Sequence, residues 1–189
     1  MTPSNLKRLH WTAVVLWTVF VYTFMIIGRS LINFLKSHTD FPILFFSICT
    51  ILAALFVLFL FYYLALRKTS TYLLFIAAFI PFVWCLFHVR ELEEIAHYFE
   101  YGALSALIYA ALSIDWKAKR AWIFAFLIAA SIGTLEEVTQ LWIPGRMFDL
   151  QDIKKNIIAA FFGLLFTAIA ERERRMGPDP EMDLEPPIK

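Results

Sequence analysis

The sequence predicts an all-α protein: a polytopic bundle of about six transmembrane helices, followed by a disordered C-terminal tail. Of its 189 residues, 60% are hydrophobic and 17% charged, and the mean hydropathy of +0.67 is far above that of a soluble domain. Apolar runs near the length of a membrane-crossing helix, about 20 residues, recur along the chain. They leave no room for a soluble catalytic domain. The net charge of +1 and scattered basic residues exclude a nucleic-acid partner.

The first three predicted helices, within residues 1–89, are almost free of charge. The first spans residues 11–27 behind a basic start, and we expect it to be retained because no small-residue cleavage site follows. The second spans residues 41–66. The third spans residues 72–89 and contains Pro81, which is expected to kink it. The lipid bilayer is therefore the expected surroundings of this region.

The last three predicted helices, within residues 90–170, carry the unusual polar residues. The fourth begins with acidic and aromatic residues and becomes apolar through residue 112. The fifth reverses this order, being apolar over residues 121–135 and polar beyond. The sixth spans about residues 156–170. Residues 171–189 are predicted to form a disordered cytoplasmic tail, because prolines and alternating acids cannot bury enough apolar surface to fold.

The distribution of basic residues predicts the orientation of the bundle. With six spans, and with Lys189 at the end of the tail left out of the count, ten lysines and arginines lie on the side of the N-terminus and six on the other side. Cytoplasmic loops carry the excess of these residues. We therefore expect both termini in the cytoplasm.

Alternating helix direction brings the polar ends of the last three predicted helices to one face, the outer one. Residues three and four apart share a side of a helix, so each helix has a polar stripe. Ionisable groups inside a bilayer are costly unless they face water or one another, so the stripes should line an outer-face pocket. The residues expected to bind a ligand there are Glu93, His97, Glu100, Tyr101, Glu136, Glu137, Gln140, Arg146, Asp149, Asp152 and Asn156. Acids that merely occupy the headgroup zone at helix ends are the simpler alternative.

Two chemical templates fit this region poorly. Glu94 and His97 form Glu-x-x-His, half of the paired motif of di-metal helix bundles. Glu137 and Gln140 have the same spacing, but glutamine is a poor ligand, so neither a metal nor a cofactor is predicted. The Glu-Glu-x-x-x-Arg motif of intramembrane glutamic proteases fails because Leu141 replaces the arginine.

Two interhelical contacts are expected around the pocket. Arg146 should pair with nearby acids, which would otherwise repel one another; these acids are Glu136, Glu137 and Asp149. Asn156 should tie the sixth helix to the acidic end of the fifth, with Ala159, Ala160 and Gly163 letting the two backbones approach. The alternative for Asn156 is a cap at the start of its own helix.

The spacing of these residues resembles the VanZ-like membrane proteins over about residues 90–170. The matching elements are His97-Tyr98-Phe99-Glu100-Tyr101, Glu136-Glu137-Val138-Thr139-Gln140, Pro144-Gly145-Arg146, Asp152, Asn156 and Gly163. The chain departs at Ala159, where glycine is usual, and at Glu136, where aspartate is common. Both departures preserve size or charge.

The resemblance implies a cell-envelope protein in the cell membrane of a bacterium, linked to resistance against teicoplanin-type glycopeptides. We expect the outer-face pocket to bind the polar headgroup of a lipid-linked cell-wall or surface-polymer precursor. One alternative is an enzyme acting on the same substrate, with Glu137 or Glu100 as general base. Another is a structural subunit of a membrane complex.

Overall fold

The computed structural model describes residues 2–40, 43, 69–88, 92–144 and 146–176. These residues form helices and no strand, so the predicted all-α class is confirmed for this part of the chain. The main helices are α1 (Pro3–His38), α2 (Thr69–Phe87), α3 (Leu92–Leu112), α4 (Ala118–Gln140) and α5 (Leu150–Met176). The predicted second span lies outside the described residues except for Ile43, and so does the tail beyond Met176.

Four helical segments are long and apolar enough to cross a membrane, which indicates a multi-pass membrane protein. They are Ser4–Gly28, Thr69–Phe87, Ala118–Gln140 and Leu150–Arg172. Helix α3 is long enough but is not among them, because the acids, tyrosines and His97 in its first half make it more polar.

Helix α5 begins earlier and ends later than the sequence predicts. The Asp149 side chain caps its start, since Oδ1 accepts a 2.7 Å hydrogen bond from the backbone N–H of Gln151. At the other end, residues 171–176 are helical, which corrects the prediction that the disordered tail begins at residue 171. Glutamate and arginine are good helix formers, and Glu171 also accepts a 2.6 Å hydrogen bond from the Tyr109 hydroxyl.

Helix α1 runs antiparallel to α3 along the length of the bundle. Near its start, Lys7 Nζ lies 2.5 Å from the Asp115 carboxylate, just beyond the C-terminus of α3. Midway along, the Trp17 indole N–H donates to the backbone carbonyl of Glu100 at 2.9 Å. Lys7 therefore marks one end of the bundle, and the polar start of α3 lies toward the other.

Helices α3 and α5 approach each other closely at Gly102 and Gly163. A Cβ atom on Gly163 would overlap the Gly102 carbonyl oxygen and lie 2.6 Å from Ser105 Oγ. This contact corrects the prediction that Gly163 lets the sixth helix approach the fifth: its partner is α3. Glycine is needed at position 163 because the α3 backbone lies so close that no Cβ atom fits there.

Aromatic rings fill the space between α2 and α5. Phe82 makes edge-to-face contacts with Phe162 at 5.3 Å and with Phe166 at 5.6 Å between ring centroids. Phe75 stacks on Phe166 at 6.0 Å. The rings adopt the edge-to-face and stacked arrangements that aromatic quadrupoles favour. Their contacts hold α2 against α5.

Candidate functional site

Side chains from the start of α3, the end of α4 and the start of α5 meet in what we call the buried polar cluster. Its members are His97, Glu100, Tyr101, Glu136, Glu137, Gln140 and Asn156. Six of these residues are buried by at least nine-tenths, and the His97 side chain is 14% exposed. Seven of the eleven residues predicted to bind a ligand are therefore brought together.

The first half of the cluster is built around Glu136, which is 1% exposed. Its Oε2 atom accepts a 2.7 Å hydrogen bond from the Tyr101 hydroxyl. His97 Nδ1 lies 3.7 Å from the same oxygen and 3.6 Å from Glu100 Oε2. The imidazole thus faces two carboxylates, one on its own helix and one on α4.

The second half is built around Glu137, whose side chain is completely buried. Oε1 accepts a 2.8 Å hydrogen bond from the Gln140 amide one turn later. Oε2 accepts a 3.3 Å hydrogen bond from the backbone N–H of Asp149. Glu137 thereby ties the end of α4 to the residue that caps α5, and neutral donors satisfy both of its oxygens.

Asn156 forms the third wall of the cluster and is fully buried. Its Nδ2 atom donates to the Gly133 carbonyl oxygen at 3.3 Å, one turn before Glu137. Because α5 begins at Leu150 and Asp149 caps it, the alternative that Asn156 caps its own helix is wrong. Asn156 joins α5 to α4, as expected from the sequence, through the backbone of α4 at Gly133.

Three charged residues form what we call the rim, at the edge of the cluster. Lys155 Nζ lies 2.9 Å from Glu94 Oε2 and donates to Asp152 Oδ1 at 2.7 Å. All three side chains are partly exposed, between 16% and 22%. Asp152 was predicted to bind a ligand, whereas Lys155 contributed to the sequence prediction only through its charge. The rim connects α3 to α5 outside the buried carboxylates.

The remaining predicted residues occupy different places. Arg146 Nη2 donates to the backbone carbonyl of Met25 in α1 and is near enough to interact electrostatically with Glu136. Its predicted pairing with Glu136, Glu137 or Asp149 stays a prediction. Asp149 acts as a helix cap. Glu93 belongs to the first turn of α3, and its side chain lies outside the described part of the structure.

The half-motif considered from the sequence does not form a metal site in this arrangement. Glu94 bonds to Lys155, and Gln140 donates to Glu137. Instead, His97, Glu136 and Glu137 place one potential ligand atom each within 4.8 Å of one another. Sequence reasoning missed this set because its members come from two helices and share no short motif.

A row of small residues on α4 leads directly to the cluster. The buried residues Ala121, Ala125, Ala129 and Gly133 recur every fourth position, and Glu137 is the next member of this row. A helix face made of small residues packs tightly against its neighbours. The row is the sequence signal that indicates burial of Glu137.

The arrangement suits the binding of a polar group rather than an apolar one. Carboxylates and side-chain amides accept hydrogen bonds from hydroxyl and ammonium groups, and the amides can also donate. Burying several carboxylates is costly unless other groups compensate for their charge. Ionisable residues that are buried within a bilayer despite this cost are typical of functional sites. Comparisons of the chain with protein-family models, curated protein sequences and solved structures give no match, so the VanZ-like resemblance stays a prediction.

Proposed function

We propose that the chain is a VanZ-like multi-pass protein of a bacterial cell membrane that binds the polar headgroup of a lipid-linked cell-envelope precursor. By retaining or presenting that precursor, it would contribute to resistance against teicoplanin-type glycopeptides. The observation that carries the proposal is the burial of Glu100, Glu136 and Glu137 together in a bundle of apolar helices. Burying three carboxylates lowers the stability of the bundle, so we expect them to bind a ligand or an ion.

The position of the cluster favours a lipid headgroup as that ligand. The cluster lies where α3 and α5 begin and α4 ends, so it is at one end of the helices and near the headgroup zone of a bilayer. A lipid anchored by its tail presents its hydroxyl and phosphate groups at this depth. The buried carboxylates would accept hydrogen bonds from the hydroxyl groups, and the positively charged Lys155 and Arg146 would attract the phosphate.

The test is native mass spectrometry of the full chain gently extracted from its own membrane. We expect a retained lipid with a sugar- or amino-acid-bearing headgroup, lost in Glu137→Gln because the headgroup loses a carboxylate acceptor. Glu171→Gln is the matched control, since Glu171 also accepts a hydrogen bond from a neutral group, the Tyr109 hydroxyl, but lies at the far end of α5. Retention of the same lipids by both variants, or of bulk phospholipid only, would contradict headgroup binding by the cluster.

The second candidate function is an enzyme acting on the same headgroup. The observation that favours it is the His97 imidazole, which lies within 4 Å of the Glu100 and Glu136 carboxylates. An imidazole next to carboxylates can accept a proton from an attacking hydroxyl or water. Turnover of a bound lipid by the purified chain, lost in His97→Gln, would distinguish the enzyme from the binder.

For the orientation, we expect both termini in the cytoplasm and the segment that follows α4 outside. The physical basis is the ten-to-six excess of basic residues on the side of the N-terminus. A cytoplasm-dependent fluorescent reporter fused after Lys189 should be active, and an export-dependent phosphatase inserted after Trp142 should be active as well. The opposite pattern of reporter activity would place the buried polar cluster at the inner face.

A further inference from the structure

We propose that His97, Glu136 and Glu137 bind one divalent transition-metal ion, of the Zn²⁺ or Mn²⁺ type. The three side chains place a ligand atom each within 4.8 Å of one another. Around a tetrahedral ion, ligand atoms at about 2.0–2.2 Å from the metal lie about 3.3–3.6 Å from one another, so the three side chains need to move together by up to about 1.5 Å. Imidazole nitrogen with carboxylate oxygen is a donor set that these ions accept.

An independent observation is that two buried side-chain atoms of the cluster make no hydrogen bond. Among the described residues, His97 Nδ1 and Asn156 Oδ1 are the buried side-chain atoms without a hydrogen bond. Asn156 is fully buried. A Cβ atom added to Gly133 would lie 2.8 Å from Asn156 Cβ and 3.0 Å from Tyr101 Cε1. Asn156 and the Tyr101 ring therefore both pack against Gly133. Leaving such atoms unsatisfied is costly, and a cation would satisfy the Asn156 oxygen and the unprotonated form of His97 Nδ1.

The charge of the cluster also favours a cation. Glu100, Glu136 and Glu137 contribute three carboxylates, and the hydrogen bonds to Glu136 and Glu137 come from neutral groups. His97 and Arg146 attract Glu136, and the three carboxylates outnumber these two groups. A divalent ion offsets this excess at the place where the oxygens already converge.

The surroundings of the three residues resemble the outer shell of a metal site. The Tyr101 hydroxyl fixes Glu136, and the Gln140 amide fixes Glu137. Hydrogen bonds of this kind orient ligands and sharpen affinity for a metal. Glu100 Oε2 lies 3.6 Å from His97 Nδ1 and provides a further oxygen atom beside the three residues, so the ion would not depend on three protein ligands alone.

The metal site does not depend on the proposed headgroup ligand, because the ion can be added to purified protein without any lipid substrate. The full chain in detergent is treated with a chelator, desalted and titrated separately with Zn²⁺ and Mn²⁺. We expect about one ion per chain, with X-ray absorption of the Zn²⁺ form showing one imidazole among oxygen ligands. His97→Gln and Glu137→Gln should weaken binding roughly tenfold or more, since even outer-shell changes have effects of that size.

Glu171→Gln is again the matched control, because it alters a tyrosine-bonded carboxylate at the far end of α5 and should bind the ion like the parent. Added Zn²⁺ should also raise the melting temperature of the parent, as a ligand specific to the folded state must. This readout needs no variant, so it holds even if the cluster variants fail to fold. Absence of a bound ion in the parent, a zinc site without imidazole, or equal binding by Glu137→Gln and Glu171→Gln would each overturn the proposal.

Discussion

Replacing Gly163 with alanine should greatly reduce the amount of folded protein, and Gly163→Leu should abolish it. The new Cβ would overlap the Gly102 carbonyl oxygen, which is backbone and cannot rotate away, so α3 and α5 would have to separate. Overpacking in a well-packed core costs about 1–3 kcal/mol, and a shift of two whole helices should reach the upper end of that range. The measurements are folded yield by size-exclusion chromatography in detergent and the thermal melting temperature.

The matched control is Gly102→Ala, on the opposite side of the same contact. A Cβ on Gly102 would lie 3.5 Å from the Ala159 carbonyl oxygen and 3.9 Å from Gly163 Cα, which are ordinary contact distances. Both substitutions gain the same helix propensity, so that contribution cancels in the comparison. Equal yields for the two alanine variants would show that the close approach of α3 and α5 is not essential.

The second large effect is expected for Asn156→Asp, which should destabilise the chain by roughly 3–5 kcal/mol, the cost of an uncompensated buried charge. The substitution removes the N–H group that bonds to the Gly133 carbonyl. It also adds a negative charge to a fully buried position beside Glu136 and Glu137. The melting temperature should be measured in chelator, so that no added cation compensates for the charge.

Asn33→Asp is the control for this prediction, because Asn33 lies on the exposed surface of α1. The same chemical change there should leave the melting temperature nearly unchanged, as most surface substitutions do. If Asn156→Asp melted like Asn33→Asp, the α5-to-α4 hydrogen bond would not contribute to stability.

The helical class and the meeting of polar residues follow from the sequence because both rest on local patterns. Hydropathy identifies apolar helices, and alternating helix direction decides which ends are neighbours. Within one helix, the spacing of His97, Glu100 and Tyr101 is enough to place them on one side. These inferences need no knowledge of how the helices are rotated against one another.

What the sequence could not predict depends on that rotation. Periodicity shows that Gly163 lies on the same side of α5 as other small residues. Whether that side packs against α3 or α4 depends on how the helices are rotated in the folded bundle, which periodicity does not show. Similarly, Glu94 and His97 share a helix face, yet Lys155 from α5 binds Glu94 and removes it from the cluster. The start of α5 was misplaced because a polar first turn capped by Asp149 has no hydrophobic signature.

The length of α1 has a consequence for how the helix lies in a bilayer. With 36 residues the helix is about 54 Å long at 1.5 Å per residue, against about 30 Å for a hydrocarbon core. Arg146 contacts the Met25 carbonyl. Residues 26–38 of α1 follow this contact, and they form about 20 Å of helix. A helix this long cannot lie wholly within the hydrocarbon core. The end of α1 that follows Met25 therefore has room to reach through the headgroup zone into water, while the apolar segment Ser4–Gly28 crosses the core.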